Sequence, residues 1–141
     1  MHEIIKTLQD VLGAREEIIF AYLFGSVAKG INNKLSDVDV AVYVNKNAMP
    51  VSGSFGYKSE LLAETENVLN QKVDIVILNE IPLFLAYNIL KNGQLILCHN
   101  ISERVNFHFR VMRDYLDFQP FISVQNKYLK ERLKNGSFGG G

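Results

Sequence analysis

The chain has 141 residues, with 15 Lys+Arg against 15 Asp+Glu and a formal net charge of zero. That balance excludes a global basic field of the kind that holds nucleic acid by its phosphates, and no apolar run approaches the ~20 residues of a membrane span. A single cysteine, Cys98, excludes an intrachain disulfide and a multi-cysteine metal site, and its neighbours Leu95, Ile96 and Leu97 make it a buried strand residue. The expectation is one cytoplasmic domain with a modest core and no signal peptide.

In chain order, Ile4, Ile5, Leu8, Val11 and Leu12 recur at helical period over residues 2–14, and Gly13 is placed to end that helix. Ile18 to Phe24 is an apolar strand that stops at Gly25-Ser26. Val38 to Val44 is a second, with Asp37 and Asp39 at its mouth. Alternate residues of a strand share a face. Val38, Val40, Val42 and Val44 therefore form one face for packing on helices, leaving Asp37, Asp39, Ala41 and Tyr43 on the other. The two aspartates stand about 6–7 Å apart at Cα. They repel unless a cation or a shared proton lies between them, and a hard, oxygen-loving divalent ion such as Mg²⁺ suits the pair. The Gly25-Ser26 turn, followed by Val27-Ala28-Lys29, offers backbone N–H groups and a hydroxyl to an anion. Each half alone is ordinary, since Gly-Ser is a common turn and Asp-x-Asp is more often a solvated strand edge. Together, on two apolar strands, they describe a nucleoside triphosphate site beside a metal-binding carboxylate pair.

Residues 45–56 read as a loop, and Tyr57 to Asn70 as a helix with Leu61, Leu62, Thr65, Val68 and Leu69 on its apolar face and Ser59 as a local cap. Val73 to Leu78 is a third strand with Asp74 near its start. An acid inside an apolar strand is costly to bury unpaired; Asp74 either pairs with Lys72, sits exposed at the strand end, or joins Asp37 and Asp39 across the sheet. Pro82 starts a helix over 83–91 that ends at Asn92-Gly93, and Gln94 to Cys98 is a short strand. From Ser102 to Asp117 the spacing of Val105, Phe109, Met112 and Leu116 predicts a helix. Pro120 breaks or kinks the chain before helical spacing resumes over 121–134. His2, His99 and His108 show no ligand spacing.

The pattern G-S-x10-D-x-D, carried here by Gly25-Ser26 and Asp37-Val38-Asp39, resembles the signature of the minimal nucleotidyltransferases of the DNA polymerase β superfamily. The chain looks like the MNT-type antitoxin of HEPN–MNT toxin–antitoxin pairs, closely over residues 1–100 and loosely over 101–135. Lys29-Gly30 stands where many relatives carry Arg-Gly, which keeps a cation and loses a bidentate fork. The resemblance implies an α/β (α+β) polymerase β-like fold, a small mixed sheet of about four strands flanked by helices, with C-terminal helices. It implies a nucleotidyltransferase domain over 1–100, a helical extension over 101–135 and a disordered tail over 136–141. It further implies that Asp37, Asp39 and Asp74 hold two Mg²⁺ ions and carry the catalysis, while Gly25, Ser26 and Lys29 hold the phosphates of ATP. The implied function is an antitoxin that transfers AMP from ATP to a tyrosine hydroxyl of a cognate HEPN ribonuclease toxin, with no direct nucleic-acid partner and no membrane.

Two other readings use the same residues: an antitoxin that blocks its partner sterically, and a small-molecule (antibiotic) nucleotidyltransferase. The converging carboxylates count against the first, and the lack of room for an added substrate domain counts against the second. Arg104 and His108 are too close in sequence for the Arg-x4–6-His signature of HEPN ribonucleases, so the chain does not look like the ribonuclease half. Phe121, Ile122, Val124, Tyr128, Leu129 and Leu133 form a last apolar stripe. It either packs back on the domain or docks the toxin, with Phe121 and Tyr128 as aromatic anchors.

Overall fold

Each face of the valine strand meets its own core. The computed structural model describes residues 2–25, 37–48 and 53–134, with the backbone alone over 119–134. Helix α1 (His2–Gly13) leads to β1 (Ile18–Phe24) and β2 (Val38–Val44); a 3-10 turn (Lys46–Ala48) precedes α2 (Gly53–Leu69). Strand β3 (Val73–Ile77), helix α3 (Leu83–Asn92), strand β4 (Gln94–Cys98) and helix α4 (Ile101–Lys134) complete the order. The sheet runs β3-β2-β1-β4. Strand β1 is antiparallel to both neighbours, and β2 and β3 are parallel with α2 as the crossover. The small mixed four-stranded sheet is therefore as expected.

Val38, Val40, Val42 and Val44 pack with Leu8 and Leu12 of α1 and Tyr57 and Leu61 of α2. On the other face Ala41 packs with Phe20 and Tyr22 of β1, Ala86 and Ile89 of α3, and Phe107 and Val111 of α4. Tyr43 stacks on Phe20 at 4.8 Å and meets Phe107 at 4.9 Å, so the far end of this face has an aromatic floor. Burying both faces leaves the mouth of β2, where the aspartates stand, as the open part. Gln9 Nε2 donates to the Ile96 carbonyl at 2.8 Å and ties α1 to β4.

A charged corner joins α1–β1 to α2. Arg15 lies between Glu17 at 3.3 Å and Glu64, with Glu60 at 3.5 Å, and the Tyr57 hydroxyl donates to Glu17 at 2.7 Å. Burial alone would raise the Glu17 carboxyl, but hydrogen bonds from Tyr57, its own backbone and Arg15 outweigh it and hold the group below its ordinary value. Burial and the bond to Glu17 push the Tyr57 hydroxyl upward.

Three expectations change. Helix α2 starts at Gly53, not Tyr57, and Ser59 lies inside it rather than capping it. First-turn N–H groups need no intrahelical partner, so weak helix formers are tolerated there once Tyr57 and Leu61 are fixed in the core. Its end is as expected, with Asn70 in the left-handed region at φ 51°. Helix α4 runs unbroken across Pro120, so the two expected C-terminal helices are one; proline removes one backbone donor, and the turns on either side carry the helix through. The face of α4 that enters the core is that of Phe107 and Val111, while Val105, Phe109 and Leu116 are 48%, 66% and 62% exposed. Both sets have helical spacing, and the Phe20–Tyr43 floor selects the one that brings an aromatic ring to it. Finally, Cys98 ends β4 half-buried rather than buried. The side chains of Phe121 and Tyr128 and the tail over 136–141 lie outside the described residues.

Candidate active site

Parallel pairing of β2 with β3 decides the geometry of the site. In its register Asp39 stands directly beside Asp74, about 4.8 Å away between strands. Same-register residues of neighbouring strands project to the same face, so the two carboxylates share it. Asp37 lies one residue before β2 and is exposed, Asp39 is half-buried, and Asp74 is exposed. Burial first, then the charge of Asp74, then that of Asp37, push the Asp39 carboxyl above its ordinary value. None of the ion pairs formed among the described residues involves these aspartates. The structure thus brings the three predicted carboxylates to one end of the sheet, with Asp39 in the middle.

The glycine turn comes from the neighbouring strand. Phe24, the last residue of β1, is the register partner of Asp39, and Gly25 follows it with φ 77°. A Cβ at Gly25 would overlap Asp39 Oδ2 and stand 3.1 Å from Asp39 Cγ. Only glycine tolerates both the dihedral and the approach, so the backbone at Gly25 lies against the Asp39 carboxylate. An anion-binding role for Gly25 is legible along the chain; that the same residue makes room for Asp39 is visible only in the fold. Ser26 and Lys29 lie outside the described residues.

These residues suit a hard divalent ion. Among the described residues no three His, Cys, Asp or Glu side chains are already gathered into a metal cage. Mg²⁺ needs none, because it keeps several waters and is commonly held by one or two carboxylates together with substrate phosphates. A repelling carboxylate group against bare glycine backbone supplies the protein's share of such a shell. A cavity of about 790 Å³ lies elsewhere, lined by Tyr43, Lys46, Asn79, Phe107 and Arg110 among others and by none of the three aspartates. Tyr43 is four residues from Asp39 along β2, about 13 Å, so that cavity is at the opposite end of the sheet from the carboxylates.

Comparison with known proteins bears on the family and the fold. A "putative protein adenylyltransferase" of Methanocaldococcus jannaschii is 32% identical over 74 residues, 52% of this chain and 71% of the relative. A toxin–antitoxin crystal structure with AMP-PNP matches with a TM-score of 0.71 at 22% identity, over 92% of this chain and 97% of the matched chain. A structure of tri-AMPylated Shewanella oneidensis HEPN toxin in complex with MNT antitoxin matches with a TM-score of 0.65 at 21% identity, over 92% and 94% of the two chains. At such identities the two structures speak for the fold. The family profile described as "Polymerase beta, Nucleotidyltransferase" matches residues 6–102. That span takes in the whole sheet, the Gly25 turn and all three aspartates, and the chain belongs to the polymerase β nucleotidyltransferase family.

Proposed function

We propose that this protein transfers AMP from ATP to a tyrosine hydroxyl of a HEPN-type toxin and acts as its antitoxin. The observation that carries the reading is Asp39, held between Asp37 and Asp74 with the Gly25 backbone against it. A cation bound among these like charges would relieve their repulsion. The names of the relatives, an adenylyltransferase and an AMPylated toxin with its antitoxin, supply the class of reaction.

In this reading Asp37 and Asp39, joined by Asp74, hold two Mg²⁺ ions, which when bound neutralise the triphosphate and acidify the incoming hydroxyl. Gly25 N–H and Ser26 orient the β- and γ-phosphates, and Lys29 adds positive charge. Asp74, on the exposed edge strand, orients the acceptor hydroxyl in line with the α-phosphorus. The new bond joins that oxygen to the α-phosphorus as the hydroxyl proton is given up to water, and the bond to the β-phosphate oxygen breaks to release pyrophosphate.

The test incubates the purified chain with α-labelled ATP, Mg²⁺ and a purified HEPN-type toxin. The expected result is label on a toxin tyrosine, one pyrophosphate released per label, and a toxin that no longer cuts RNA. Asp74→Asn should retain ATP binding while transfer slows strongly. A stable complex that carries no label would instead favour a sterically acting antitoxin.

A further inference from the structure

Helix α4 carries an apolar face that the domain does not cover. At 100° per residue, Ile101, Val105, Phe109, Met112 and Leu116 fall within about 80° of the helix circumference. Phe107 and Val111, which enter the core, point about 130° away from that stripe. Ile101, Val105, Phe109 and Leu116 are all exposed, while Met112 between them also packs against the core. Along the stripe a groove of about 410 Å³ is lined by Arg104, Val105, His108, Phe109 and Met112. Contiguous apolar surface of this kind marks an interaction site, and spacings of four, four, three and four residues are those of a helix that packs on another helix.

The edges of the stripe describe the partner. Arg104 and Tyr115 border it on one side and Ser102, Asn106 and Arg113 on the other, whereas Glu103, Asp114 and Asp117 lie on the far side of the helix. Arg113 is paired with Asp114 at 3.3 Å. Among the described residues of α4 the charged side chains nearest the stripe are the arginines, so a second copy laid stripe to stripe would set arginine near arginine. A helix with an apolar stripe flanked by Asp or Glu would satisfy them.

We propose that this face of α4 is where the acceptor protein docks, through an apolar helix edged by carboxylates. The proposal rests on the AMP-transfer reading for the identity of the partner. The docking face is separate from the aspartates, so binding of the acceptor and chemistry on it belong to different residues.

The probe is a purified HEPN-type toxin, titrated by calorimetry against wild type, Phe109→Asp and Arg104→Glu, with ATP binding and melting temperature measured on each. Phe109→Asp should weaken toxin binding about thirtyfold or more, leave ATP binding and melting unchanged, and raise KM for the toxin with kcat retained at saturation. Arg104→Glu should weaken binding less, with a loss that shrinks in high salt. Wild-type affinity in Phe109→Asp overturns the proposal, as does a wild-type dimer that Phe109→Asp dissociates without affecting the toxin. A toxin that binds wild type and loses binding to Phe109→Asp, yet receives no label from either, supports the docking face and defeats the AMP-transfer reading instead.

Discussion

Two groups of charges lie on this one small domain, and they are built in opposite ways. At the α1–β1 corner Arg15 is surrounded by Glu17, Glu60 and Glu64, and the Tyr57 hydroxyl completes the Glu17 shell. The corner is closed, its Glu17 carboxyl is held below the ordinary value, and every charge answers another. At the mouth of β2 three carboxylates meet with no cation among the described ion pairs, and Asp39 is held above the ordinary value. The difference separates structural charges from functional ones. A chain that pairs its acids in one place and crowds them in another uses the first to hold itself together and the second to hold something else.

Mutations should therefore act with opposite signs at the two places. The largest effect on transfer is expected from Asp39→Asn, which should slow it on the order of 10²–10³-fold. Melting of the metal-free protein should stay level or rise, because a mutual repulsion is removed; a fall in melting temperature would erase the distinction. Gly25→Ala should come next, with transfer lowered on the order of 10²-fold by displacement of Asp39. It should also cost about 1–2 kcal/mol of stability from the left-handed dihedral, read by denaturant unfolding.

Glu17→Gln should leave transfer unchanged and lower stability by about 1.5–3 kcal/mol, since it weakens charge-assisted bonds to Tyr57 and Arg15. The sign of its pH dependence follows from the depressed carboxyl. Its contribution is fully present above the unfolded value near 4.5 and is lost as pH falls through the lower folded value. A wild-type melting profile steeper than that of Glu17→Gln below about pH 4.5 is the expected result, and parallel profiles would contradict it.

How far the sequence could be read follows the range of the interactions. The Asp37 and Asp39 spacing and the valine face are local consequences of strand geometry, legible from a few residues. The place of Asp74 came from family likeness, and its register opposite Asp39 needed the folded sheet. Which face of α4 enters the core is not legible along the chain, because Phe107–Val111 and Val105–Phe109–Met112 are both apolar at helical spacing. Only the Phe20–Tyr43 floor, supplied by two distant strands, tells them apart. The extra first turn of α2 was hidden by Gly53 and Gly56, whose propensity argues for a loop until Tyr57 is seen in the core. The Arg15 corner joins residues from positions 15 to 64, and no pattern along the chain announces it.

Strand β3 is an edge of the described sheet, bonded only to β2, and four of its five residues are Val or Ile. Unpaired edges of this composition recruit further strands and lead to aggregates. Asp74 interrupts that edge with an exposed charge, which a second β3 laid alongside would bring against its own copy. Colloidal behaviour and reactivity thus fall on one side chain. A concentrated stock of Asp74→Asn should scatter more light on storage than wild type, and that loss of solubility is to be separated from its slower transfer before either is interpreted.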